Sequence, residues 1–227
     1  MAWQRGRTER ASESRLMLAY TRDDVQALNT RARELRRAAG ELGQSEFIET
    51  ERGRREFAAG DRLYFLRNER GLRVRNGSLG TVETIRGGVL QVRMDAEEGR
   101  RVTVDSRYYA HLEHGYAATV HKSQGTTVDR TYVLATPHFD RHSTYVALSR
   151  HREAAAVFYA KEDFQPVWSR ASAEENLKSV LSRARPKELA HDFLEREPLS
   201  AVESAEPLAA GSSSASTLTQ RFRERVD

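Results

Sequence analysis

The chain has 227 residues, which is enough for one medium domain or two small ones. It contains no cysteine, so disulfide bonds and cysteine-ligated metal sites are excluded. Its 37 basic and 33 acidic residues give a net charge of +4, which is too mild to indicate a nucleic-acid partner by itself. The first ten residues are polar and basic, and no apolar run approaches the ~20 residues that span a bilayer. The sequence therefore predicts a soluble, cytoplasmic protein with no membrane insertion.

The first predicted unit is a strand, a turn and a helix. Leu16–Tyr20 is a continuous apolar run, typical of a strand that is buried on both faces. Thr21 is predicted to cap the helix that follows, and Gly40 to end it. One apolar stripe runs along this helix at spacings of three or four residues: Val25, Leu28, Ala32 and Leu35. Such a unit is typical of an α/β sheet.

The pattern changes after Phe57 to short β-branched segments separated by turn residues. The predicted strands are Arg62–Leu66, Thr81–Ile85, Val89–Met94 and Arg101–Asp105. Turn signals stand between them, at Asn76-Gly77 and at Arg86-Gly87-Gly88. This spacing predicts a small antiparallel barrel inserted into the α/β domain. Between residues 61 and 107 the sequence has ten arginines and seven acidic residues, so most of the net positive charge lies in this stretch. Only four of the 37 basic residues of the whole chain are lysine, and codon bias explains this preference for arginine better than function does.

Alternation of strands and helices resumes near Tyr108. We predict strands at Thr131–Ala135 and Ala155–Tyr159, with a helix over Arg141–Arg152 between them. After Pro166 the chain is predicted to be helical and polar, with a flexible linker at 210–216 and a disordered end.

Two stretches carry chemistry. Gly115–Thr127 runs from an apolar strand into a loop of hydroxyls, Lys122 and Gly125, a composition that suits phosphate; a polar surface turn explains it equally well. Tyr145–Arg152 ends in three basic side chains, which the dipole of a helix would favour without any further role.

Together, the two stretches resemble motifs V and VI of superfamily-one helicases, in the branch of RecD-like and Dda-like enzymes. The motif V pattern T-x-H-K-S-Q-G is matched over 119–125, and the motif VI pattern Y-V-A-x-[ST]-R over 145–150. In that branch an SH3-like barrel precedes motif V, and the landmarks Gly60-Asp61 and Asn76–Gly80 match it. Three further segments are similar to the TraA-type conjugative relaxases: 18–22 with 28–29, 65–72, and 140–142.

The resemblance covers roughly Leu16 to Phe164 and implies a RecA-like parallel sheet with helices on both faces, interrupted by the SH3-like antiparallel barrel. The implied division places the first part of the RecA-like lobe in 1–56 and the barrel in 57–107. The second part of the lobe then occupies 108–165, and a helical and flexible tail occupies 166–227.

The resemblance also implies roles for individual residues. Arg150 would be the arginine finger that stabilises the transferring γ-phosphoryl group of ATP, with Gln124 and Gly125 beside the same phosphate. The implied contacts with single-stranded DNA come from two groups of residues: Thr119, His121 and Lys122 in motif V, and Arg67, Arg70, Arg73 and Arg75 in the insertion. A solvated barrel face explains the four arginines equally well. Thr127 departs from the glutamate that many relatives place there to contact the nucleotide sugar.

The sequence contains no G-x-x-x-x-G-K-[ST] phosphate loop, no acidic box for Mg²⁺ and no histidine triad of a nicking domain. We therefore expect ATP and Mg²⁺ to be shared with a missing first RecA-like lobe, and a relaxase domain to be missing too. A fragment or natural truncation of this kind is predicted to be inactive alone and to hold no metal. The alternatives are a stand-alone module that binds single-stranded DNA, and a docking module for a secretion-system coupling protein that uses the tail from Pro186 to Pro207.

Overall fold

The computed structural model describes residues 2–10, 12–96, 99–165 and 170–184. Its first elements are α1 (Ala2–Glu9), β1 (Arg15–Ala19), α2 (Arg22–Ala38), β2 (Ser45–Thr50), β3 (Gly53–Ala58), β4 (Arg62–Phe65), β5 (Leu79–Arg86) and β6 (Val89–Met94). The elements that follow are β7 (Arg101–Asp105), β8 (Leu112–His114), β9 (Ala117–Thr119), β10 (Val128–Leu134), α3 (Arg141–Leu148), β11 (His151–Phe158), α4 (Lys161–Phe164) and α5 (Ala173–Ser182).

Four strands form a parallel sheet in the order β11-β10-β1-β9. Alternate residues of the central strand β1 point to opposite faces. Leu16 and Leu18 pack in one core cluster with Val146 of α3, whereas Met17 packs in another with Val25 of α2. Helices therefore cover both faces of this sheet, as expected for an α/β fold.

Helix α2 begins and ends close to the predicted positions. The Thr21 side chain accepts a hydrogen bond from the Asp24 backbone N–H at 3.1 Å, which confirms the predicted cap. Gly40 follows the last turn with a φ of +70°, a conformation that glycine adopts without strain. The buried Asn29 side chain accepts hydrogen bonds from the backbone N–H groups of Tyr116 and Ala117, so α2 is tied directly to the start of β9.

The short predicted strands of the insertion are confirmed as an antiparallel sheet in the order β7-β6-β5-β4-β8. Its last strand lies beyond residue 107, because Leu112–His114 pairs with β4 before the chain returns to the parallel sheet at Ala117. A separate hairpin, β2–β3, precedes the sheet and was not predicted. The SH3-like classification and the division at residues 57 and 107 stay predictions.

The predicted helix over Arg141–Arg152 is wrong at its carboxyl end. Helix α3 stops at Leu148, where the Ser149 backbone N–H reaches back to the carbonyl oxygens of Tyr145 and Val146. His151 already belongs to β11 and pairs with Val128 of β10, so strand pairing takes over three residues after the helix ends. Arg150 therefore lies between a helix and a strand rather than on a helix.

The predicted helical tail is confirmed only for α5, which begins with a capping box between Ser172 and Glu175. Residues 166–169 and 185–227 lie outside the described residues, and with them the predicted linker at 210–216 and the proposed docking tail from Pro186 to Pro207. None of the helices in the described ranges is both long and apolar enough to cross a membrane.

A buried polar cluster joins the two larger sheets. Asp61, which is fully buried at the start of β4, accepts hydrogen bonds from Arg33 Nε at 3.0 Å, from the Tyr116 hydroxyl at 2.7 Å and from the Ala58 backbone N–H at 2.7 Å. Arg33 also donates to Glu56 at 2.8 Å, and this hydrogen bond holds the pKa of Glu56 at about 2. Helix α2, the hairpin and the antiparallel sheet are thus fixed by one carboxylate.

Candidate nucleotide and nucleic-acid site

The motif loop, residues 120–127, is shaped by its own buried hydroxyl group. The Ser123 side chain is fully buried and donates to the Val120 carbonyl oxygen at 2.7 Å, while its backbone N–H donates to Thr119 O at 3.0 Å. This tight turn leaves His121 and Gln124 exposed to solvent. The sequence therefore folds the loop around Ser123 and presents its polar side chains outward.

The backbone conformation at position 125, rather than the packing around it, favours glycine. The φ of Gly125 is +84°, in the left-handed region that L side chains rarely adopt. A Cβ atom placed on it would meet no heavy atom of the described residues within 4 Å. The backbone at this point is therefore open to a close approach by a ligand.

The motif loop connects two strands at opposite ends of their length. It leaves the carboxyl end of β9 at Thr119 and enters the amino end of β10 at Val128, and the two strands run parallel. The Val128 backbone N–H donates to the carbonyl oxygen of Arg150 at 3.0 Å. Thr119 and Lys122 thus lie near one end of the loop, and Arg150 lies at the other.

The Arg150 guanidinium is held in place without being neutralised. Its Nε donates to the carbonyl oxygen of Val146 at 3.0 Å, and Nη2 donates to the Ser149 hydroxyl at 2.9 Å. Within the described part of the chain it forms no ion pair, and the residue is only partly buried. Its positive charge is therefore available to an anion.

Thr119 and Lys122 line a cleft of about 260 Å³ between the parallel sheet and the hairpin. Five of the other lining residues are charged: Arg22 and Asp23 at the start of α2, Arg52 and Arg55 from the hairpin, and Glu113 from β8. Burial lowers the pKa of Lys122, and repulsion from Arg52 and Arg22 lowers it further. His121 is not in this lining; its ring contacts the Tyr20 ring edge-on at 5.4 Å between centroids.

The four arginines predicted in the insertion do not act as one group. Arg70, Arg73 and Arg75 line a groove of about 780 Å³, together with Arg100. Arg100 donates to the carbonyl oxygens of Leu72 and Arg73 and so fixes the loop that carries them. Arg67 is outside this groove lining, and its Nη1 lies 3.3 Å from the Nε2 atom of His111.

The antiparallel sheet contacts the motif loop directly. The Tyr64 hydroxyl donates to the carbonyl oxygen of Lys122 at 2.6 Å, and the Thr126 hydroxyl donates to the carbonyl oxygen of Gly77 at 3.2 Å. A Cβ on Gly77 would lie 3.1 Å from the Thr126 oxygen, and its φ is +95°. The Asn76-Gly77 turn therefore seats the insertion on the loop.

Comparison with known proteins shows which families this chain resembles. Residues 62–158 match the model of the viral superfamily 1 RNA helicase core domain. The chain is 42% identical over 183 residues to the conjugal transfer protein TraA of Agrobacterium fabrum, which covers 80% of the chain and 16% of that protein. The chain is similar to superfamily-one helicases and to TraA-type conjugal transfer proteins. The predicted resemblance to this superfamily and to TraA-type proteins is thereby confirmed.

A second relative is the RecBCD enzyme subunit RecD of Buchnera aphidicola, 29% identical over 114 residues, or 48% of the chain and 19% of that subunit. Among solved structures, a Bacteroides Pif1 helicase in complex with ADP-AlF3 and ssDNA has 23% sequence identity and a TM-score of 0.48, covering 68% of this chain and 43% of that one. The chain spans less than a fifth of the length of the TraA and RecD relatives.

The hairpin arginines beside this loop were missed from the sequence. Arg52 and Arg55 were not considered because the hairpin itself was not predicted. The available signal was Gly53, which occupies the turn with a φ of +91° between two segments of strand-forming residues. Across the described ranges, no group of three or more histidine, aspartate or glutamate side chains is placed to hold a metal ion.

Proposed function

We propose that this chain is the C-terminal motor lobe of an ATP-dependent DNA helicase in a conjugative relaxase. It would act together with a first RecA-like lobe, which binds ATP and Mg²⁺, and with a relaxase domain. The similarity to a conjugal transfer protein and to a superfamily-one helicase model supports this proposal.

The observation that carries the proposal is the course of the motif loop. One end of the loop lies at the cationic cleft with Thr119 and Lys122, and the other is bonded through Val128 to Arg150. A displacement of Arg150 would therefore be transmitted along eight residues to the cleft. A motor needs such a connection, because contact with nucleotide has to change contact with DNA.

The residues near Arg150 fit the phosphate end of a nucleotide. The guanidinium is oriented by Val146 and Ser149, and no carboxylate of the described residues neutralises it. Gln124 and Gly125 are exposed on the same loop. When bound between the two lobes, ATP with Mg²⁺ supplies the phosphoryl group whose transfer drives translocation. Arg150 would then place a fixed positive charge where negative charge develops.

The DNA contacts are proposed for Thr119, His121 and Lys122, and for the insertion arginines that share a groove. A groove lined by Arg70, Arg73, Arg75 and Arg100 suits the phosphates of a single strand. Arg67, beside His111, would contribute separately. Such contacts are electrostatic and carry no sequence information.

The chain alone is expected to hydrolyse no ATP and to bind it only weakly. The phosphate loop that provides most phosphate contacts is absent from the sequence, and Arg150 can supply only one side of the site. Isothermal titration with ATP and Mg²⁺, with and without DNA, measures this. Arg150→Ala is the control, because heat that persists in it does not arise at the proposed site. A tight site, or steady hydrolysis with DNA, would contradict the motor-lobe proposal.

Replacing Arg70, Arg73 and Arg75 by alanine is expected to weaken the salt dependence of single-stranded DNA binding. Each phosphate contact contributes ~0.7 to the steepness of the slope of log affinity against log salt. The steepness should therefore fall by the contribution of about two to three contacts. Fluorescence anisotropy over a salt series measures the slope. Thermal stability should hardly change, because exposed charges contribute little to folding.

The matched control removes three exposed arginines of the same sheet region that do not line the groove: Arg86, Arg101 and Arg107. This control variant loses the same charge as the groove variant, but its slope of log affinity against log salt should stay closer to the wild-type slope. An unchanged slope in the groove variant would place the DNA contacts at Thr119 and His121 instead.

A further inference from the structure

We propose that the β2–β3 hairpin forms one wall of a phosphodiester-binding cleft, in which Arg52 and Arg55 face Arg22 and Lys122 across the backbone of a single DNA strand. This inference rests on the proposed function in one respect, namely that the lobe binds single-stranded DNA. It adds a structural element and two residues that the motif resemblance does not include.

The position of the cleft is the first argument. Arg22 follows β1, Thr119 ends β9 and Lys122 follows it, and β1 and β9 are adjacent parallel strands. Ligands of open α/β sheets bind outside the carboxyl ends of the strands, because loops from neighbouring strands converge there. The hairpin closes this crevice from the opposite side with Arg52 in its turn and Arg55 on β3.

The charge of the cleft is the second argument. Four cationic side chains line it against two carboxylates, Asp23 and Glu113. Glu113 has to serve two arginines, at 3.5 Å from Arg52 and 3.7 Å from Arg55. These distances are longer than the 2.8 Å between Arg33 and Glu56 in the buried cluster. The positive charge is therefore only partly neutralised, and Lys122 is repelled by Arg52 and Arg22.

The chemistry of the lining favours phosphate over a nucleobase. The aromatic lining residues of the described chain are Tyr64 and His114, and both are committed to the protein. Tyr64 is buried with its hydroxyl on the carbonyl oxygen of Lys122, and the His114 Nε2 atom lies 3.0 Å from the Glu56 carbonyl oxygen. The His114 ring also packs against the rings of Phe57 and Tyr116, at 4.5 and 6.3 Å between centroids, so this lining is poorly suited to stacking of a base. The cleft is thus suited to the strand backbone and independent of sequence.

Arg55→Gln and Arg54→Gln provide a matched pair of variants for the test. Both remove one charge from adjacent positions of β3, but Arg54 is outside the cleft lining and stacks on the Phe47 ring at 4.5 Å. In anisotropy titrations of the 227-residue chain with a labelled oligonucleotide, Arg55→Gln should lower the salt slope by ~0.7. Arg52→Gln should do the same, and Arg54→Gln should leave the slope unchanged.

Glu113→Gln tests the cleft with the opposite sign. Removal of the carboxylate that partly neutralises Arg52 and Arg55 should tighten DNA binding, whereas a purely structural role for Glu113 would leave binding unchanged or weaken it. Unchanged or weaker binding in a Glu113→Gln protein with wild-type thermal stability overturns the proposal.

Two further outcomes separate this inference from the proposed function. If the wild-type chain binds DNA and the slopes of Arg52→Gln and Arg55→Gln equal that of Arg54→Gln, only the cleft is overturned. If the wild-type chain does not bind DNA at low salt, both are overturned. A titration with inorganic tripolyphosphate at constant ionic strength shows whether the cleft binds a DNA strand or free phosphate. Tight binding of tripolyphosphate, lost in Arg55→Gln while DNA binding is retained, would assign the cleft to free phosphate and overturn the proposal.

Discussion

Replacing Arg150 by alanine is expected to lower DNA-stimulated ATP hydrolysis by about 10³-fold or more in a protein that carries both motor lobes. The Arg150 side chain is oriented by two hydrogen bonds and forms no ion pair among the described residues, so its whole charge is available to the transferring phosphoryl group. Steady-state hydrolysis at saturating single-stranded DNA measures the loss. DNA affinity should remain near wild type, because Thr119 and Lys122 lie at the other end of the motif loop.

Arg152→Ala is the matched control for this experiment. Arg152 lies two residues further along, in β11, and its Nη1 pairs with Asp129 at 3.0 Å. Its loss removes the same charge from the same segment and should leave the rate unchanged. Arg150→Lys keeps the charge without the forked geometry and should give an intermediate rate. An Arg150→Ala protein that hydrolyses ATP at nearly the wild-type rate would show that Arg150 is not the finger.

Local sequence signals predicted those parts of the fold that depend on local interactions. The apolar run before Thr21 predicted β1, and Thr21 predicted the start of α2. Both predictions were possible because a strand buried on both faces and a capped helix each have a sequence pattern within a few residues. The insertion strands were located for the same reason, since turn residues punctuate them.

The errors occurred where tertiary contacts override local preference. The sequence of the motif VI segment predicts a helix through Arg152. In the structure His151 instead belongs to a strand that pairs in parallel with β10. The hairpin was overlooked because β2 and β3 carry charged residues on a partly exposed surface, and their pairing gives only a weak apolar alternation.

The candidate site was predicted as a list of residues rather than as an arrangement. The motif resemblance supplied Thr119, Lys122 and Arg150, but it could not supply the groups that surround them. Tyr64 reaches Lys122 across 58 positions of sequence, and Arg52 and Arg55 belong to an element without a motif. Contacts of this kind leave no periodic or spacing signal, so only the folded chain reveals them.

Asp61→Ala is expected to lower the free energy of unfolding by about 3–5 kcal/mol, because it breaks an ion pair whose carboxylate is fully buried and leaves the largely buried Arg33 guanidinium without that partner. Asp61 is fully buried, and its oxygens accept from Arg33, the Tyr116 hydroxyl and the Ala58 backbone N–H. The Tyr116 and Ala58 donors would be left unsatisfied in the same place. Urea denaturation followed by circular dichroism measures the change.

The comparison with Asp95 shows why burial rather than pairing decides this effect. Asp95 also pairs with an arginine of β4, Arg62, but its side chain keeps 24% of its exposure and water can replace the partner. Asp95→Ala should therefore cost less than about 1 kcal/mol. Asp61→Asn keeps a hydrogen-bond acceptor but loses the negative charge opposite Arg33. Its decrease in the free energy of unfolding should therefore lie between those of Asp61→Ala and Asp95→Ala. Because Asp61 contacts α2, β3 and the residue before β9, its removal should shift a single cooperative transition rather than release one sheet. An Asp61→Ala midpoint equal to that of Asp95→Ala would contradict the view that this carboxylate holds the two sheets together.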